Sequence, residues 1–305
     1  MTINKLLRDI SARLTPVSGD LATVDSETII CQSLNITRTQ LYTDTSIIIS
    51  DDDLSRINTI IERRLRGEPL PYIFGVAYFY DREFFVNTDV LIPRPDTETL
   101  VEEVLNREKY QSAKFVDIGT GSGILAAVLT AHRPAWSAVA VDISYRALRV
   151  AARNVAPSLE IAGGRGRPPL QNSFADTNVH HPSTNKNINL ICSDMLTAIK
   201  PENQFDFIVS NPPYISSTRM KTLDDSVAGY EPHTALHGGD DGLDYYRMIS
   251  GCAEMYLKDS GRVYLEIGYD QGESVPEIFV GGGWVDIAVI KDLAGRDRVV
   301  RASLP

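Results

Sequence analysis

From Lys114 onward the chain alternates short apolar runs with amphipathic stretches, and this alternation restricts its fold more than any other feature. "KFVDIG" reads as a buried strand, Ser122 to His132 as a helix and "SAVAVDI" as a second strand. Ser144 to Asn154 reads as a helix capped by Ser144, and "NLICSDM" and "FDFIVS" follow as strands. After a long loop, a helix is expected near Leu243 to Leu257, and Gly261 leads into the strand "RVYLEIG". Strands that alternate with helices pair in parallel, with the helices covering both faces of a doubly wound sheet. The tail "VDIAVIKDLAGRDRVVRAS" reads as two strands around a turn, which suits an antiparallel edge pair and brings the strands to seven.

The first 74 residues follow a different rhythm. Apolar residues recur at Ile3, Leu6, Leu7, Ile10 and Leu14, and again at Leu54, Ile57, Ile60, Ile61 and Leu65, close to a 3.6-residue period. Gly67-Glu68-Pro69 stops the second run as helix ends do. A small all-α domain is therefore expected over 1–74. Between Tyr72 and Ile92 aromatic and β-branched residues dominate, so a β-hairpin linker is expected over 75–92. A larger α/β domain is expected over 93–305, opened by a helix with Leu100, Val101, Val104 and Leu105 on its apolar side. One stretch, 157–187, is rich in Gly, Pro, Asn and Ser and poor in apolar residues, and is expected to be a flexible surface insertion. His180-His181 within it lack a third ligand nearby, so no metal is expected.

Composition narrows the function. The 305 residues carry a net charge of −10, which counts against a partner gripped through its phosphate backbone. Arg63, Arg64 and Arg66 form the one basic cluster of note and read as a solvated helix face. No apolar run approaches the length that spans a bilayer. Cys31, Cys192 and Cys252 are odd in number and widely spaced, which argues for reduced thiols rather than a disulfide frame or zinc site. A cytoplasmic monomer is the expectation. The bases at helical spacing in "MTINKLLRDISARL" leave a mitochondrial matrix address as the alternative.

Two motifs carry chemistry. "DIGTGSG", Asp117 to Gly123, lies where the first strand turns into the first helix, where glycines let the backbone approach a ligand. A dinucleotide fingerprint places a third glycine where Ile124 stands here. The shorter spacing, with an acid two residues ahead, is typical of methyltransferases that use S-adenosylmethionine. Asp142, at the end of the next strand, is placed to accept from ribose hydroxyls. Asp194 and Met195, after the third strand, stand where an adenine would lie.

"SNPPYIS", Ser210 to Ser216, ends the fourth strand with two prolines that cannot donate ladder hydrogen bonds. A turn is the plain reading; a pocket for a planar amino group is the sharper one. The Asn211 side-chain oxygen and the Pro212 carbonyl are acceptors on a stiff frame, and the Tyr214 ring can pack on a planar group. Such a corner would hold an NH₂ and aim its nitrogen at a methyl donor.

In order along the chain, "GEPLPYIFG", "LIPRPDTETLVE", "VDIGTGSG", "SNPPYI", "YEPHTALHGGDDGLDYYR", "YLEIGYDQG" and "KDLAGRDRVV" resemble the release factor glutamine methyltransferases, PrmC or HemK. The resemblance runs from about Asp25 to Val300 and implies a Rossmann-like, class I S-adenosylmethionine-dependent methyltransferase fold. It implies methyl transfer to the glutamine N5 of the GGQ motif in class 1 peptide chain release factors, with the helical domain docking that protein substrate. Carried over by motif, Gly119, Thr120, Gly121, Ser122, Gly123, Asp142, Met195 and Asn211 would bind the cofactor. Asn211, Pro212, Pro213 and Tyr214 would hold the glutamine, with Asn211, Pro212 and Tyr214 as the catalytic set. Arg94, Pro95 and Thr97 would line the entrance, and Glu231, Gly238 and Gly239 would shape the facing loop. Two positions depart from the family pattern: "DSETII" in the helical domain and Met195, where an aromatic is frequent. The alternative is an amino-methyltransferase acting on adenine N6 or guanine N2 of nucleic acid.

Overall fold

The computed structural model describes residues 2–44, 47–155 and 187–305. The expected insertion, except Asn187, and the His180-His181 pair lie outside the described residues.

Five helices open the chain: α1 (Ile3–Ser18), α2 (Ala22–Leu34), α3 (Arg38–Thr43), α4 (Asp51–Leu65) and α5 (Leu70–Phe74). Ser50 and Asp53 close a capping box at the start of α4, and three aspartates in its first turn face the positive end of the helix dipole. Ile10, Leu14, Ile29, Ile30, Ile57 and Ile61 meet in one core. The apolar side of the N-terminal segment is thus built into this domain. The arginine cluster is not a solvated face throughout. Arg64 pairs with Asp25 at 2.9 Å, and Arg63 donates to Glu68. These pairs pin α4 to α2 and to the turn that follows.

The linker holds a short hairpin, β1 (Val76–Phe79) and β2 (Arg82–Phe85), after which the chain returns without regular structure to Pro93. The remaining elements are α6 (Glu98–Arg107), β3 (Lys114–Ile118), α7 (Ile124–His132), β4 (Ser137–Asp142), α8 (Tyr145–Val155), β5 (Ile188–Cys192) and β6 (Phe205–Ser210). Then come the one-turn helices α9 (Ser217–Met220) and α10 (Asp225–Ala228), α11 (Asp244–Cys252), β7 (Leu257–Glu266), α12 (Ser274–Gly281), β8 (Val285–Lys291) and β9 (Asp297–Ser303).

Seven strands form one sheet in the order β5-β4-β3-β6-β7-β9-β8, antiparallel only at β7–β9 and β9–β8. Side chains alternate across it: Phe115, Phe207 and Val209 enter the core beneath α6 and α7, while Val116 and Ile208 enter the one beneath α11 and α12. Phe115 and Phe207 stack with centroids 4.9 Å apart, tying β3 to β6 near their origins. Two boundaries differ from expectation. The helix at Leu243 gives way to a 3-10 turn after Cys252, and β7 begins at Leu257, with Gly261 inside it. Leu257 pairs with Phe205, and the register shifts before Arg262 meets Phe207, so an irregular ladder lengthens this strand. Among the described residues no helix is long and apolar enough to cross a membrane, and the three cysteines are free thiols.

Candidate active site

Strand order reverses between β3 and β6, and α/β sheets bind ligands at such a switch point, outside the carboxyl ends of the strands. Ile118 and Ser210 form the last pair of that ladder, and the Ser210 hydroxyl donates to the Ile118 carbonyl at 2.7 Å. The glycine turn and the Asn-Pro-Pro turn therefore leave the sheet side by side. A cleft opens between them, bordered by residues 118–122, Asp142, Asp194, Met195 and Asn211 to Pro213.

In the glycine turn, Gly119, Gly121 and Gly123 all have positive φ, of 68°, 55° and 81°. A methyl on Gly119 would meet no atom within 4 Å, so the turn borders open space where it lines the cleft. Gly123 does the opposite: a Cβ there would stand 3.2 Å from that of Ala151 on α8. It thus performs the close packing that a dinucleotide turn assigns to the position of Ile124. Beneath the turn, buried Asp117 accepts from the Thr120 hydroxyl at 2.7 Å and the Ala126 N–H at 3.2 Å. Burial pushes the Asp117 carboxyl up to about 7, although those two donors pull the other way. Asp142 accepts from Gly121 N–H at 2.9 Å and Ser144 N–H at 2.8 Å, which fixes the acid at the rim. Burial raises its carboxyl, partly offset by the same two donors.

The amide corner is buttressed from behind. A Cβ on Gly238 would stand 2.5 Å from the Pro213 carbonyl oxygen, and one on Gly242 would collide with the Tyr214 carbonyl. The Tyr214 carbonyl accepts from Gln271 Nε2 at 3.2 Å, and Ile215 N–H donates to Leu236 O at 2.9 Å. The two prolines are thus clamped against the loop 236–242, and only their outer side meets the cleft. Asn211 Nδ2 donates to Thr97 Oγ1 at 3.3 Å, so its amide oxygen is the end left for a ligand. Tyr214 does not border the cleft: its ring packs on the core beneath α11 and α12. The position that sequence reasoning gave to a stacking ring is a packing position.

At the entrance, Arg94 borders the cleft and pairs with Glu231, whose side chain is nearly inaccessible. Burial raises the Glu231 carboxyl, and Arg94 counters it. Glu231 thus stands behind Arg94 rather than in the cleft. Pro93, not Pro95, borders the cleft, and Thr97 is fully buried in its wall under Asn211. Met195 takes a left-handed φ of 49° and packs on the core that includes Tyr246 and Ile249 of α11. Tyr245 and Ile249 complete that side, and burial with Asp194 and Asp142 nearby raises the Tyr245 phenol. Sequence reasoning missed Tyr245, as well as Asp89, Val90 and Leu91 on the return from the hairpin. Tyr245 and Ile249 lie one helical turn apart, a spacing visible in the sequence, but nothing local marked the hairpin return as cleft wall.

These residues suit S-adenosylmethionine. The glycine turn leaves room for a chain, Asp142 offers a carboxyl acceptor at the carboxyl end of β4, and Met195 and Tyr245 offer flat walls. Fold and site together define a class I, S-adenosylmethionine-dependent methyltransferase. The family models agree: PrmC N-terminal domain matches residues 5–75, methyltransferase small domain 95–161, and Eco57I restriction-modification methylase 137–246. The release factor glutamine methyltransferase of Thermodesulfovibrio yellowstonii is 38% identical over 90% of this chain and 90% of its own. That of Koribacter versatilis is 34% identical over 100% of this chain and 99% of its own. The chain belongs to the release factor glutamine methyltransferase family. The hMettl16 catalytic domain, solved with the MAT2A 3'UTR hairpin 6, shares the fold, with a TM-score of 0.52, 14% identity and coverage of 85% and 83% of the two chains.

Proposed function

We propose that this chain transfers a methyl group from S-adenosylmethionine to the side-chain amide nitrogen, N5, of the glutamine in the GGQ motif of class 1 peptide chain release factors. The observation that carries this reading is the clamped corner at the switch point: Asn211 and Pro212 border the cleft and Asn211 Nδ2 is taken up by Thr97, which would leave Asn211 Oδ1 and the Pro212 carbonyl as the acceptors for a ligand. Two acceptors hold the two hydrogens of a primary carboxamide and repel an oxygen, so an amide can enter nitrogen first and a carboxylate cannot. When bound, S-adenosylmethionine supplies an electrophilic methyl on a positively charged sulfur. Gly119 to Ser122, Asp142 and Met195 would hold that donor, with Arg94, paired to Glu231 behind it, framing the way in.

The corner also assists the reaction. A carboxamide nitrogen is a poor nucleophile because its lone pair is delocalised into the carbonyl. Acceptors that grip both N–H bonds keep the nitrogen in place and favour the pyramidal geometry of the transition state. Once the nitrogen has taken the methyl it is acidic, and it loses one proton without a dedicated base. The helical domain over 1–74 would dock the protein substrate. Its junction with the catalytic part is fixed by the Tyr230 hydroxyl, which donates to the Arg66 carbonyl at 2.9 Å.

Methyl-labelled donor, incubated with this protein and either purified release factor or nucleic acid, tests the reading. Label should appear in the factor's GGQ peptide. Label in nucleic acid alone would establish the adenine or guanine amino-methyltransferase reading instead.

A further inference from the structure

The orientation of the Asn211 amide decides whether the corner accepts or repels an incoming NH₂. Its oxygen and nitrogen ends are nearly the same shape, so packing alone cannot select between them. The selecting contact is the hydroxyl of Thr97, which receives Asn211 Nδ2–H at 3.3 Å. Thr97 is fully buried at the mouth of α6, with no solvent to share its hydrogen bonds. A hydroxyl both donates and accepts, and if it donated to Asn211 the amide would turn its NH₂ into the cleft.

Behind Thr97 stands the carboxylate of Glu266, at the end of β7 and 1% exposed. Its Oε2 has no hydrogen-bond partner among the described residues. An ionised carboxylate only accepts, so the Thr97 hydroxyl donates its hydrogen bond to Glu266 and keeps a lone pair to accept from Asn211. Burial pushes the Glu266 carboxyl up to about 7, while the Thr97 hydroxyl bond, Arg298 and Arg94 pull it down and Asp96 opposes them. Tyr214 and Tyr246 complete its surroundings, and the Tyr246 hydroxyl donates to the Glu266 backbone carbonyl at 2.9 Å. On the alkaline side of neutrality the acid is therefore ionised.

We propose that Thr97 is a positioning residue: held by Glu266, its hydroxyl fixes the Asn211 amide with the oxygen toward the substrate. This rests on the carboxamide-transfer reading and adds a residue that acts through Asn211 without touching the reacting atoms. Thr97→Val keeps the shape and removes the relay, whereas Thr97→Ser keeps the hydroxyl. At about pH 8, Thr97→Val should lower kcat by about tenfold to a hundredfold with donor affinity near wild type, and Thr97→Ser should recover most of the rate. Equal rates for wild type and Thr97→Val, or equal losses in the two variants, would overturn the relay. The Asn211 side-chain NH₂ resonances, assigned against Asn211→Ala, supply a substrate-free readout and should shift in Thr97→Val but little in Thr97→Ser. Unmoved resonances would sink the relay by themselves. A wild-type enzyme that leaves the release factor unlabelled would instead count against the substrate reading alone.

Discussion

The Ser210 hydroxyl donates to the Ile118 carbonyl at 2.7 Å, across the last pair of the β3–β6 ladder. This bond joins the residue that precedes the amide corner to the residue that precedes the glycine turn. Ser210→Ala leaves a buried carbonyl lacking one donor, at a cost of about 1 kcal/mol. Urea denaturation should show that loss, and single-turnover assays should show a slower methyl-transfer step as Asn211 loosens.

Asn211→Ala removes one of the two acceptors for the substrate amide. Transfer should fall below detection while the fold and most donor affinity persist, as measured by circular dichroism and calorimetric titration. Full turnover in this variant would remove the proposed role of the corner.

Gly238→Ala places a methyl 2.5 Å from the Pro213 carbonyl oxygen and 2.9 Å from Tyr214 Cα, both backbone atoms. One of the two loops must shift. A displacement near 1 Å costs on the order of a hundredfold in rate, so kcat should drop by about that factor while donor binding remains. Steady-state kinetics with titrated donor separates the two effects.

Asp142→Ala deletes the acceptor that anchors Gly121 and Ser144 and faces the cleft. Donor affinity should weaken by about tenfold or more, because charge-assisted hydrogen bonds contribute about 1.5–3 kcal/mol each. Asp142→Asn, which keeps one oxygen, should lie between. Calorimetric titration ranks the three proteins.

Asp117 contributes, alongside Glu266, to the pH response of the ligand-free protein's stability. Its carboxyl stands near pH 7 in the folded chain, above the ordinary value of about 3.9 for the unfolded one. Between those values the folded state holds a proton that the unfolded state has released. Its contribution to stability is therefore complete below about pH 4 and is lost as pH rises toward 7, at up to about 1.4 kcal/mol per unit. Melting temperatures from pH 5 to 8 should decline less steeply in Asp117→Asn. Parallel curves for the two proteins would exclude Asp117 as the source.

Much of the fold was legible because it depends on short-range patterns. The 3.6-residue spacing of Ile3, Leu6, Ile10 and Leu14 and the runs "KFVDI" and "FDFIVS" each carry their own burial signature. The boundaries of α11 and β7 were less legible, since Leu257 becomes strand only through pairing with Phe205. The solvated reading of Arg63 and Arg64 failed for a similar reason: Asp25, the partner of Arg64, lies 39 residues away.

Taken by itself, the amino-acid order determined which atoms the site owns: a glycine turn with an acid ahead of it, a second acid one strand later, and an amide followed by two prolines. The folded chain decided how those atoms face. It turned the Tyr214 ring into the core, set Glu231 behind Arg94, brought Tyr245 to the cleft and placed Thr97 beneath Asn211. A residue's chemistry is local to it, whereas the direction of a side chain follows from neighbours that only the closed sheet brings within reach.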